Sequence, residues 1–287
     1  MTPTWTVRGR VVSLDRPIIM GIVNVTPDSF SDGGQFLPPA AAVAHCAALL
    51  AEGADILDIG GESTRPQGAR EVSADEELCR VLPIIRAMSQ ERPDVLLSVD
   101  TVKSVVAEAA LEAGVHIVND VSGMRLDGAM APLCARERAG VVLMHSRGSV
   151  ENMATYAHAI YSGDPVDEVM TELRDRVRVA VAAGILPESI AIDPGIGFSK
   201  QSAHSLRILG CLERLMAMGH PIAIGASRKR FIGEITQVRE PRHRVFGSVG
   251  ASVAAFAKGA RIFRVHDVLA TRQALDVAAA IGAAGCT

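Results

Sequence analysis

A set of polar side chains stands at the ends of short apolar runs along this chain: Asn24, Asp58, Asp100, Asn119 with Asp120, His145, Asp193, Ser227 and Lys229, then Arg264 with His266. Their types suggest recognition chemistry. Asp100, Asn119 and Asp193 are rich in acceptors and suit a flat heterocycle that offers several N–H donors, and a carboxylate on a guanidine-like edge makes two charge-assisted hydrogen bonds. Lys229 can donate to a carbonyl or ring nitrogen of the same ligand. Any one Asp or Asn at such a position is explained equally well as a cap of the following turn, and Asp120 and Asp267 are expected to be caps. For all the ends together local capping is a poor account, because buried acids and bases without partners are costly. They must face one another, water or a ligand. No His/Cys/Asp set has zinc spacing, and no serine sits in a nucleophile elbow.

The elements that would position these residues repeat. A helical segment, then glycine, then a short β-rich run with a polar end recurs at 52–60, 113–120, 139–145, 183–195, 218–229 and 258–267. Gly53, Gly114, Gly140, Gly184, Gly219 and Gly259 stand where a helix C-terminus needs a left-handed residue. Two further runs, 17–24 and 94–100, lack the glycine, making eight short strands in all. Helical patterns fall at 39–52, 73–90, 103–113, 128–138, 166–183, 203–218, 246–258 and 267–282, and Ser73 with Glu76 and Glu77 has the form of a capping box. Eight strand–helix units in roughly 250 residues match an α/β (β/α)8 TIM barrel better than an open doubly wound sheet. No G-x-G-x-x-G follows a strand, which weakens a dinucleotide-binding alternative. The opening "TWTVRGRVVSL" is expected to form a short N-terminal β-hairpin over residues 1–16 at the bottom of a barrel spanning 17–282, the whole of 1–287 being one domain. In such a barrel the strand ends share one rim, and closure makes Asn24 a neighbour of Arg264 and His266, an anion-handling cluster with room for Mg2+. That ion takes one or two protein oxygens and substrate phosphate for the rest.

Composition excludes several classes. A net charge of −3 gives no reason to expect nucleic acid or an anionic membrane as partner. The one dense basic run, Ser227–Arg230, is a solvated helix start or a small anion site. The longest apolar stretch is too short to span a bilayer, no signal peptide is visible, and five scattered cysteines without a CxxC pair argue for reduced thiols in the cytoplasm.

The residues also resemble a known family. "MGIVNVTPDSFSDGG" (20–34) and "GADILDIGGESTRPQG" (53–68) are similar to the two long signatures of the dihydropteroate synthases. "SVDT", "VND", "LMH", "DPGIGFSK", "GASRKRFIG" and "RVHD" match the remaining blocks in order between about residues 98 and 267. The resemblance implies condensation of 6-hydroxymethyl-7,8-dihydropterin diphosphate with 4-aminobenzoate, giving 7,8-dihydropteroate and diphosphate. It implies a pterin site of Asp100, Asn119, Asp193 and Lys229, with Met144 and Arg264 packing on the ring. Diphosphate and Mg2+ would fall to Asn24, Arg264 and His266. Aminobenzoate would lie among Phe30, Thr64, Pro66, Phe198, Ser227 and the stem of Lys229, with Asp32 and Arg65 on two loops that close over it. A dissociative substitution follows, with Asp100 and Asp193 stabilising a pterin cation and no covalent enzyme intermediate. Sulfonamides would compete with aminobenzoate. A homodimer is implied, with the Ala/Gly-rich helix at 246–259 as its contact. Pterin-binding methyltransferase barrels are a rival, though they lack the "TPDSFSDGG" loop and the "SRK" block. A pterin-binding paralogue without turnover is another, against which stand Phe30, Asp32, Thr64, Arg65 and Pro66, all present. Segments 146–165 and 237–246 fall outside the matched blocks.

Overall fold

The computed structural model describes residues 3–25, 39–63 and 72–284. Two antiparallel strands, β1 (Thr4–Val7) and β2 (Arg10–Ser13), form the expected hairpin. The chain then alternates: β3 (Ile18–Asn24), α1 (Pro39–Ala51), β4 (Ile56–Gly60), α2 (Ala74–Glu91), β5 (Leu96–Asp100), α3 (Ser104–Glu112), β6 (Ile117–Asp120), α4 (Met130–Arg136), β7 (Gly140–Met144), α5 (Pro165–Ala182) and β8 (Ile190–Asp193). It continues through α6 (Ser202–Gly210), α7 (Leu212–Met216), β9 (Ala223–Ile224), α8 (Arg230–Thr236), α9 (Val245–Ala257), β10 (Ile262–Val265) and α10 (Val268–Ala284). The strands β3 to β10 are parallel, in the order β8-β7-β6-β5-β4-β3-β10-β9. The seam closes through a parallel bridge between Ile192 and Ile222, where Ile192 N–H donates to the Pro221 carbonyl at 2.9 Å. The eight sequence units are thus a (β/α)8 barrel. The helix expected at 203–218 breaks at Cys211, and α8 is an element that the periodicity did not reveal.

Strand periodicity divides the barrel interior into layers. Successive side chains point to opposite faces, so Met20, Ile56, Ile117, Val142, Ala191, Ala223 and Ile262 form one apolar layer. The positions two residues further on, Ile22, Asp58, Asn119, Met144, Asp193, Gly225 and Arg264, face inward above it. The hairpin plugs the lower end: Trp5, Val7 and Leu14 join the apolar layer, and the Trp5 indole N–H donates to the Ser189 carbonyl at 2.9 Å. Arg8 Nη1 reaches the carbonyls of Leu111 and Val115 at 2.8 and 2.9 Å.

Of the six repeated glycines, Gly53, Gly114, Gly184, Gly219 and Gly259 have positive φ. Gly140 does not. Arg138, φ +52°, makes that turn instead, and Gly140 is small for a different reason: a Cβ there would lie 2.3 Å from Val7 Cγ1. The capping box is half made. Ser73 Oγ accepts from Glu76 N–H at 3.2 Å, while the Glu76 carboxylate pairs with Arg80. Among the described residues Cys46, Cys79, Cys134 and Cys211 are free thiols, and no helix is long and apolar enough to cross a membrane.

Substituting Gly140→Ala forces the hairpin off the barrel floor. The expected loss is about 1–3 kcal/mol, as for other overpacked interiors, read from the urea midpoint. An unchanged midpoint would show that the hairpin is not seated as described.

Candidate active site

The inward layer at the C-terminal ends of the strands is polar and tightly bonded. Asp58 on β4 is fully buried. It accepts from Ser98 Oγ at 2.6 Å, from Asn119 Nδ2 at 3.0 Å and from Arg264 Nε at 2.6 Å. Arg264 Nη2 donates to Asp100 Oδ2, also at 2.6 Å. One guanidinium on β10 therefore spans the carboxylates of β4 and β5. Asp193 closes the ring from β8, its Oδ1 accepting from Gly195 N–H at 2.7 Å. A Cβ added at Gly225 would lie 3.9 Å from Asp193 Oδ2 and 4.0 Å from Arg264 Cβ, so the glycine leaves the space between them open. Lys229, just past β9, lays its stem along Gly197 and puts Nζ 4.0 Å from the centroid of the Phe198 ring.

The charges do not balance. Three carboxylates, Asp58, Asp100 and Asp193, face two cations, Arg264 and Lys229. Burial pushes the Asp100 carboxyl well above the usual range, Arg264 pulling it back and Asp58 adding to the rise. Burial also raises Asp193 to about 6, against the Gly195 N–H and Lys229. The Lys229 ammonium falls to about 8, through burial first and then the nearby Arg264. A ligand bringing N–H donors would relieve the excess of acceptors.

His266 follows the last residue of β10, two positions beyond Arg264, and β10 pairs with β3, whose last residue is Asn24. Ser227 Oγ accepts from His266 N–H at 3.2 Å and lies 3.1 Å from its Nδ1, which orients the ring. Arg228 locks the same loop to β10: its Nε donates to Asp267 Oδ2 at 3.0 Å. The Asp267 carboxylate is thus spent on an ion pair, not on the helix cap expected for it. Asp120 is the local acceptor it was expected to be, taking N–H and O–H of Ser122, both at 2.7 Å, and N–H of Met124 at 3.1 Å.

Asn24, Asp58, Asp100, Asn119, Met144, Asp193, Phe198, Ser227, Lys229, Arg264 and His266 thus belong to one rim. His145 does not join them. It follows Met144, so strand alternation turns it outward, where Nε2 meets Glu172 of α5 at 3.0 Å. Phe30, Asp32, Thr64, Arg65 and Pro66 lie outside the described residues. Sequence reasoning gave Asp58 no role beyond standing at a strand end. Its shared parity with Asp100 on the neighbouring β5 and with Arg264 on β10, two strands away, was the available signal. The two unmatched segments also acquire roles. Val150, Met153 and Ala154 pack with Met144 and Phe198. Arg244 Nη1 donates to the carbonyls of Arg228 and Lys229 at 3.0 and 3.3 Å, steadying the backbone that carries Lys229.

A family model described as "Pterin binding enzyme" matches residues 20–266. The dihydropteroate synthase of Neisseria meningitidis serogroup C is 46% identical over 274 residues, 94% of this chain and 95% of the relative. The chain belongs to the dihydropteroate synthases. Among solved structures, that of the Xanthomonas albilineans synthase with 4-aminobenzoic acid has a TM-score of 0.90 at 47% identity, covering 99% of both chains. The same organism's synthase in complex with 7,8-dihydropteroate gives 0.87 at 45%, covering 98% of this chain and 99% of the other.

Removing Asp58 leaves Ser98, Asn119 and Arg264 without their shared acceptor. Asp58→Ala is expected to cost about 3–5 kcal/mol, as for a broken buried pair. A double-mutant cycle with Arg264→Met should recover part of that loss. Additive effects in chemical denaturation would mean the two side chains do not depend on each other.

Proposed function

We propose that this synthase joins 6-hydroxymethyl-7,8-dihydropterin diphosphate to 4-aminobenzoate, releasing diphosphate and forming 7,8-dihydropteroate, with its own residues in the following roles. The observation that carries the reading is the convergence of Asp100, Asn119 and Asp193 on one space, with Lys229 and Arg264 beside it. Asp193 takes the guanidine-like edge of the pterin through Oδ2, since Gly195 holds Oδ1. Asp100 and Asn119 accept from the remaining donors. Lys229 donates to the pterin and, through its stem and Phe198, walls the aminobenzoate pocket. Met144 and Arg264 pack on the ring.

Arg264 spends Nε and one Nη2 proton on Asp58 and Asp100, which leaves Nη1 to meet diphosphate together with His266. Among the described residues no three His, Cys, Asp or Glu side chains stand together as a metal cage. Asn24, a single hard oxygen donor beside the diphosphate cluster, fits a metal carried in largely on the phosphates. Held there, Mg2+ would supply positive charge against the diphosphate leaving group. As the methylene–oxygen bond lengthens, the Asp100 and Asp193 carboxylates stabilise the cation spread over the dihydropterin. The aminobenzoate nitrogen then attacks the carbon and its proton passes to the departing diphosphate, so the step balances and no protein nucleophile is needed. Phe30, Asp32, Thr64, Arg65 and Pro66 complete the aminobenzoate side, and sulfonamides of similar shape compete there.

The synthase works as a cytoplasmic homodimer in this reading. The outward side of α9 carries Phe246, Gly250, Ala254 and Ala257, all exposed, with Phe246 91% exposed. Ile235 on α8, 60% exposed, is a further apolar residue for the contact. An exposed helix face of small residues around one large aromatic suits close approach of a second copy.

Incubating the protein with the pterin diphosphate, Mg2+ and aminobenzoate should yield dihydropteroate by mass spectrometry together with free diphosphate. Absence of both products refutes the reaction. Asp193→Ala is expected to weaken pterin binding by about 1.5–3 kcal/mol, the range for a charge-assisted hydrogen bond, in calorimetry. Phe246→Asp should loosen self-association by on the order of 2 kcal/mol or more, as for a central interface aromatic. Sedimentation velocity showing the same species with and without it would remove α9 from the interface.

A further inference from the structure

Directly outside the pterin wall runs a chain of polar groups that the reaction above does not use. Lys200 ends the loop after β8 and is 1% exposed. Its Nζ lies 2.8 Å from His145 Nδ1, and it donates to the Phe198 carbonyl at 2.9 Å and the His145 carbonyl at 3.4 Å. A carboxylate oxygen beside Nε2 can only accept, so the ring proton sits on Nε2 and Nδ1 accepts from Lys200, whose ammonium burial lowers to about 7. That N–H points to Glu172 Oε2 at 3.0 Å, and Arg147 Nε donates to Glu172 Oε1, also at 3.0 Å. Burial, then the neighbouring Lys200, brings His145 down to about 4, which keeps the ring neutral. Glu172 falls to about 2: partial burial opposes this, but hydrogen bonds from His145 and Arg147 outweigh it.

A buried ammonium is an expensive way to fill space, since an apolar side chain of like volume is often as stable or more so. What it supplies is direction. The loop it ends is clamped at Gly195, at Ser199 and at Lys200 itself. Gly195, φ +69°, presses so close to β7 that a Cβ would lie 1.9 Å from the His145 carbonyl oxygen. Ser199, φ +49°, donates its N–H to Met153 and accepts from Arg147 N–H at Oγ, and the Tyr161 hydroxyl donates to its carbonyl. Between these clamps Phe198 presents its ring beneath Lys229 Nζ.

We propose that Lys200 is a positioning residue for aminobenzoate capture: through His145 and Glu172 it fixes the loop so that Phe198 and the Lys229 stem form one rigid wall of the pocket. The proposal rests on the aminobenzoate role given above to Phe198 and Lys229. Asp100 and Asn119, the pterin contacts on β5 and β6, lie on the other side of the site; Met144 and Asp193 adjoin this chain but are placed by strands β7 and β8, and Lys200 Nζ bonds neither of them.

The test measures steady-state constants for both substrates with wild type, Lys200→Met and Glu172→Gln. Lys200→Met should raise KM for aminobenzoate on the order of 10- to 100-fold, the scale of a sub-ångström to 1 Å misplacement, with KM for the pterin diphosphate within about 3-fold and kcat at saturation retained, the pattern of lost binding alone. Glu172→Gln should shift the same constant in the same direction by less. Its side chain is 40% exposed, so it carries the test should Lys200→Met not fold. Unchanged KM for aminobenzoate, an equal rise for both substrates, or a fall in kcat alone would overturn the proposal. Wild type is read first. No product there sinks the reaction and the proposal together, whereas a working wild type with indifferent variants sinks only the role of Lys200.

Discussion

The site depends on one guanidinium held between two carboxylates. Arg264 can reach Asp58 and Asp100 only once β10 has closed on β3 and brought β4 and β5 within range. Closure and site formation are therefore the same event. Without the cation, Asp58 and Asp100 would share a desolvated rim with Asp193 and repel. With it, the rim is stable yet still holds more acceptors than donors. That residual imbalance suits a ligand rich in N–H groups, and Asn119, locked to Asp58, belongs to the same network.

The barrel is legible in the chain because its signals are local: short apolar runs, left-handed glycines after helices, and polar residues at strand ends. What stayed hidden are relations between strands. The Asp58–Arg264 pair joins residues 206 apart. Asp267 looked like a helix cap because its neighbourhood permits one, but Arg228 arrives from another loop. Gly140 carries the usual C-cap signature and serves a steric need imposed by Val7. Lys200 closes the "DPGIGFSK" block, but nothing in its type marks it as buried, since lysines are ordinarily solvated.

Strand alternation also divides the chemistry into two shells. Met144 faces the ligand side, and His145, one residue later, faces α5. The loop from Gly195 to Lys200 is gripped from outside by the β7–α5 connection, and the backbone of Lys229 is gripped by Arg244. Both grips come from segments that resemble no motif. Their work is mechanical support, which many sequences can supply.

The lower end of the barrel has its own consequence for how the molecule comes into being. Trp5, the chain's one tryptophan, finds its partner at Ser189, 184 residues downstream. While the polypeptide is being synthesised the hairpin's apolar face has nowhere to dock until most of the cylinder has emerged from the ribosome. Contacts so distant along the chain make for slow assembly and prolonged exposure of sticky surface. The indole's fluorescence accordingly reports the completion of folding, late and from the rim opposite the chemistry.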